Sequence, residues 1–229
     1  MVSLAPVPAA LVHLSGAIAA GGSDDVARAA EDALDAGADV SAVHETLLQS
    51  YLFLGFPRAI EAFFAARPVL ERRRARVADG AAPRPAEAAA PDPAVVAPDP
   101  AAPSPDPAVW RRNGEALCRR VYGRNYEKLM ETMRGLSPEL ASWMILEGYG
   151  KTLSRPGLGT VEREYAVVAI LTVTRMWRQL RSHAIGAVNV GGTRAGVRET
   201  IELCRAWTDE RTIAEALRAV GLEEENARR

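Results

Sequence analysis

The stretch that decides the fold is TVEREYAVVAILTVTRMWRQLRSHAIGAVNVGGT, Thr160 to Thr193. From Tyr165 to Val173 every residue except Thr172 is apolar, which predicts a helix buried nearly all round. Thr160 is placed to cap it, with Glu162 in the first turn, where the helix dipole favours an acid. A second helix is predicted over about 176–190, stopped by Gly191-Gly192, and Thr193 is placed to cap a third. If the first two form an antiparallel hairpin turning near residue 175, Glu164 lies opposite about residue 187. His183 is then one turn away, roughly 6 Å along the axis. Ala184, Gly186 and Ala187 are small enough for close helix approach. On such an apolar hairpin a carboxylate and an imidazole need each other or another partner.

The rest of the chain is also read as helix. Residues 7–20 are apolar and Ala-rich and end at Gly21-Gly22. They lack the basic start of a secretory leader, and His13 interrupts them, so they are taken as structural. Ser23 is the expected cap of a second helix that stops at Gly37. Ser41 is the expected cap of a third, running through Tyr51 and Phe53 to Gly55, and Pro57 opens a fourth that enters the basic run Glu71–Arg76. That run is read as a solvated helix end rather than a nucleic-acid patch. Farther on, Ser137-Pro138-Glu139 starts a helix toward Leu153, residues 154–159 form a loop, and an amphipathic helix lies near 210–220. No alternating pattern argues for a sheet, so the expected class is all-α.

Between Pro83 and Pro107 stand nine of the fifteen prolines, mixed mainly with Ala and Asp. Regular helix does not survive that density. The chain therefore divides into a helical unit over 1–77, an extended or disordered linker over 78–108, and a second helical unit over 109–229. The two units resemble each other. Sliding the chain so that Ala33 meets Ala187 also sets Gly37 on Gly191, Val43-His44-Glu45-Thr46 on Val197-Arg198-Glu199-Thr200, and Leu47 on Ile201.

Composition excludes little. The net charge is −1, from 28 basic and 29 acidic residues, so no field favours nucleic acid or an anionic membrane. No apolar run reaches spanning length. Cys118 and Cys204 form no C-x-x-C pair and no metal cluster with His13, His44 and His183, and are read as buried free thiols of a reducing, cytoplasmic compartment. Trp110, Trp143, Trp177 and Trp207 are assigned to the core, as is Tyr51.

Arg155-Pro156-Gly157-Leu158, Glu162-Arg163-Glu164, Gln179-Leu180-Arg181-Ser182-His183, Ala187 and Gly191-Gly192-Thr193 together resemble, in order and spacing, the core motif of the carboxymuconolactone decarboxylase (AhpD-like) family. The resemblance covers roughly 112–204. Residues 8–66 resemble the family more weakly, through Glu45-Thr46-Leu47-Leu48-Gln49, Tyr51 and Gly55-Phe56-Pro57. It implies an all-α, AhpD-like bundle, duplicated here, that assembles as a trimer or hexamer. It also implies either decarboxylation of a small carboxylated lactone or thiol-dependent peroxidase chemistry. Glu164 and His183 match the family's acid and histidine, but Met176 and Gln179 stand at its two cysteine positions, so a peroxidase is not expected.

In the first unit the matching positions are Ala10 and Ala29, which makes that copy structural, and the "GxP" corner appears only there. The units are therefore expected to complement each other. The function implied is a lyase needing no cofactor or metal. Glu164 and His183 form its acid–base pair, Gln179 lines the substrate site, and Arg155, Arg178 or Arg181 binds a substrate carboxylate. The alternative is a non-catalytic helical assembly or small-molecule binding module of the same fold.

Overall fold

A computed structural model describes residues 4–80 and 106–223. It is all-helical, with no strand among the described residues. Most of the expected linker, and the charged end from Glu224, lie outside the described residues. The first half contains α1 (Pro6–Ala20), α2 (Ser23–Asp35), α3 (Val40–Gln49) and α4 (Tyr51–Ala78). The second contains α5 (Pro107–Tyr122), α6 (Tyr126–Leu136), α7 (Pro138–Trp143) running into a π-helix (Met144–Leu153), α8 (Thr160–Val173), α9 (Trp177–Asn189), α10 (Arg194–Leu203) and α11 (Glu210–Ala219).

The internal repeat is visible in the backbone. In the alignment that sets Ala33 on Ala187, α2 falls on α9 and α3 on α10, residue for residue at both ends. Their connections are built alike. Gly37 and Gly191 both adopt left-handed conformations, φ 103° and 113°. Ala38 N–H donates to the Ala33 carbonyl at 2.9 Å, and Gly192 N–H to that of Ala187 at 2.8 Å. These bonds close both helix ends in the way a glycine just past a helix allows. The next helix is then capped by Asp39, accepting from Ala42 N–H, or by Thr193, accepting from Gly196 N–H.

The two units interlock. α1 packs along α8, so Leu11, Leu14 and Ile18 build one core cluster while Val12 joins the one around Val167, Val168 and Leu171. The α1 segment is thus a core helix. Two aromatic side chains cross over. Phe53, just after α3, packs into the second unit's core. Trp207, its counterpart after α10, packs into the first, against Gly16, where any Cβ would collide with the indole. Two equivalent acids do the same. Glu45 of α3 pairs with Arg163 of α8, and Glu199 of α10 accepts from Leu4 N–H at 2.7 Å, just before α1. This reciprocity is the pattern of an isologous interface.

Several expectations need correction. Gly22, not Ser23, sits at the α2 cap, where Asp25 accepts from its N–H at 2.9 Å. Asp39 replaces Ser41 as the α3 cap, and Gly159 precedes Thr160, which is already helical. The third helix ends at Gln49. The chain turns at Ser50 and bends again at Gly55, φ 77°, before Pro57. Trp143 is 60% exposed and Trp110 half-buried, whereas Trp177 and Trp207 pack on the core clusters as expected. The basic run at the end of α4 is the solvated helix end expected, with Arg73 bonded to Asp35 and Arg72 3.6 Å from Glu31, both acids on α2.

Candidate functional site

The α8–α9 corner forms as expected. Arg175 takes a left-handed conformation, φ 58°, and Met176 N–H closes on the Leu171 carbonyl at 3.0 Å. The two helices run back against each other, and Glu164 meets His183. Glu164 Oε2 lies 2.9 Å from His183 Nδ1, with the residues 3% and 5% exposed. A Cβ at position 186 would stand 3.0 Å from that carboxylate oxygen and 2.7 Å from Val121 Cγ1, so Gly186 makes the room for the acid. Phe53 of the first unit sets its ring edge-on to His183, centroids 5.6 Å apart. The pair therefore rests on both units.

Three further groups surround Glu164 closely enough for its charge to act on them: Cys118, Tyr122 and Tyr149. The two phenols share a hydrogen bond, with rings 6.2 Å apart. Burial, chiefly, and the Glu164 charge hold both above the usual tyrosine value. Burial pushes the Cys118 thiol up, and Glu164 adds to it. Burial alone pushes Cys204 to about 12. Neither thiol is a thiolate near neutrality, so neither is the nucleophile that thiol chemistry requires.

The remaining sequence candidates do not converge on the pair. Arg155 Nε donates to both oxygens of Glu45, at 3.0 and 3.2 Å. Arg178 and Gln179 stand in the wall of a cleft between α6 and α9. Arg181 lines a different cleft, beside Arg194 and Val220. Glu164 and His183 form part of neither wall.

Sequence reasoning missed the buried cluster that joins the units. Arg163 Nη2 donates to Glu45 Oε2 at 2.9 Å and to the Arg155 carbonyl at 2.8 Å, and Nη1 donates to Gln49 Oε1 at 3.2 Å. Burial pulls its guanidinium below the usual arginine value, and Glu45 opposes that. In sequence Arg163 sits between two glutamates and looks like an exposed charge. The usable signal was its position on a helix with no solvent face. Tyr51 bonds across the same seam, its hydroxyl 2.8 Å from Thr152 Oγ1.

Among the described residues no group of three or more His, Cys, Asp or Glu is placed to hold a metal ion, and no helix is long and apolar enough to cross a membrane. No protein-family model matches this chain, and no curated protein matches it at significance.

Proposed function

We propose that the chain is a carboxymuconolactone decarboxylase-like protein. In this reading it is a cofactor-independent lyase acting on a small carboxylated lactone or related acid, built on a duplicated AhpD-like bundle that assembles as a homo-oligomer. The observation that carries it is the 2.9 Å contact between Glu164 and His183 inside the hairpin. A carboxylate on Nδ1 fixes the imidazole's orientation and leaves Nε2 as the atom that exchanges a proton. In the reaction, the bond from ring carbon to carboxylate carbon breaks and carbon dioxide leaves. The electron pair moves into the enolate conjugated with the lactone, and the imidazolium of His183 returns a proton to carbon.

The test follows carbon dioxide release from a panel of small unsaturated lactone acids by wild type and His183→Ala. Turnover by wild type that falls at least a hundredfold in the variant supports the reading, a loss typical of a missing general acid. No turnover on any member removes it. The second reading, a non-catalytic assembly or binding module, is favoured by the sealing of the pair beneath Phe53 and its replacement by Ala10 and Ala29 in the first unit.

A further inference from the structure

The cleft between α6 and α9 has a composition that the acid–base pair does not explain. It measures about 330 Å³, within the range of small-molecule sites. Leu129, Met133 and Leu136 recur at one-face spacing along α6 and form its floor with Met144 from the start of the π-helix. Leu136, 70% exposed, extends this floor to the surface at the end of α6. Two cations line it from its two sides, Lys128 on α6 and Arg178 on α9, and among the described residues no acid lines it. Neither cation has an acidic partner among the described residues, and here, unlike at an unpaired surface arginine such as Arg124, an apolar floor lies beside them. Unpaired positive charge beside apolar surface is complementary to an amphipathic anion.

We propose that this cleft binds a small organic acid, its carboxylate held between Lys128 and Arg178 and its apolar body lying on Leu129, Met133 and Met144. An inorganic anion would leave the apolar floor uncovered, and a neutral hydrocarbon would leave two cations without a counter-charge. The cleft also adjoins the buried pair. Gln179 and Ser182 in its wall precede His183 by one helical turn and by one residue, and Tyr122 in the opposite wall hydrogen-bonds to Tyr149 beside Glu164. That the bound acid is also the substrate rests on the lyase reading; that it binds does not.

The probe is octanoate, titrated calorimetrically and by amide NMR, with 1-octanol, acetate and inorganic phosphate as controls. Octanoate should perturb amides of residues 128–133 and 178–182 and bind at least about tenfold more tightly than any control. Lys128→Ala and Arg178→Ala should each weaken it about tenfold, and Arg178→Lys should retain most of the affinity. Both cations are exposed, so the variants should fold. Equal binding of 1-octanol, unchanged octanoate affinity in both alanine variants, or preference for phosphate would overturn the proposal. So would concentration-dependent self-association that Met133→Asp abolishes and octanoate leaves intact, because the face would then be an interface between copies. Turnover of lactone acids that survives in Lys128→Ala/Arg178→Ala while octanoate binding is lost would show that the acid bound here is not the substrate, leaving both the cleft and the lyase reading standing. Octanoate binding without any turnover would keep the cleft and remove the lyase reading.

Discussion

At the scale of single residues, the largest electrostatic commitment lies at the seam between units rather than in the candidate site. Arg163 and Glu45 have side chains 2% and 3% exposed, and Gln49 and the Arg155 carbonyl satisfy more of the guanidinium. Removing one partner of such a pair leaves an uncompensated buried charge. Glu45→Ala should therefore lower stability by about 3–5 kcal/mol in urea denaturation. Glu45→Met/Arg163→Met should recover most of that loss; a double variant as unstable as the single would show that the pair itself stabilises. Two histidines contribute to the acid side of the stability curve. Burial depresses both His13, against Trp207, and His44, against Phe63, below 6.5, with nearby Asp32 and Glu45 respectively opposing it. The folded chain then binds fewer protons than the unfolded one, so their contribution is full above pH 6.5 and shrinks as pH falls through it. The urea midpoint should drop between pH 7 and pH 5, and His13→Gln/His44→Gln should drop less. Equal slopes for variant and wild type would count against this assignment.

At the scale of elements, periodicity and stop signals located the helices bounded by glycines and caps, because they act within one turn of the chain, but α5 and α6 were not placed. The hydrophobic run 165–173, the glycines at 37 and 191 and the Ser137-Pro138-Glu139 start all read correctly. Three caps lie one or two residues before the expected residue: Gly22 for Ser23, Asp39 for Ser41 and Gly159 for Thr160. Asp39 won over Ser41 and Asp25 bonded back to Gly22, choices set by backbone geometry rather than residue type. The pairing of Glu164 with His183 was legible because both lie on one hairpin. Arg163–Glu45 was not, because it depends on how two units dock. The π-helix left no sequence signal either. It packs on α5 through Gly114 and Gly150. A Cβ on Gly114 would strike the Ile145 carbonyl, and one on Gly150 the Trp110 carbonyl. Backbone cannot retreat as a flexible side chain can. Gly150→Ala should thus cost at least about 2 kcal/mol despite its better helix propensity. The control is Gly148→Ala, where nothing stands within 4 Å of the added carbon. Similar melting shifts for the two variants would contradict the crossing described.

At the scale of the molecule, each unit covers surfaces that the other does not cover alone. Helix α8 is buried along nearly its whole length, and α1 of the other unit supplies one side of that burial. Phe53 closes over His183, Glu45 neutralises Arg163, and Trp207 fills the space against Gly16. A fragment of residues 109–229 alone would expose the α1-facing side of α8, together with an unpaired arginine. The lost apolar burial carries the destabilisation, because the uncovered Arg163 regains water in place of Glu45. That fragment should be poorly soluble or should melt without a cooperative transition, and adding residues 1–80 as a separate chain should restore a single sharp one. The covalent connection matters only through effective concentration, so complementation in trans should succeed at raised fragment concentration. A soluble fragment melting cooperatively alone would mean that the second unit holds its own core, and that Phe53 is a lid on the Glu164–His183 pair rather than part of its foundation.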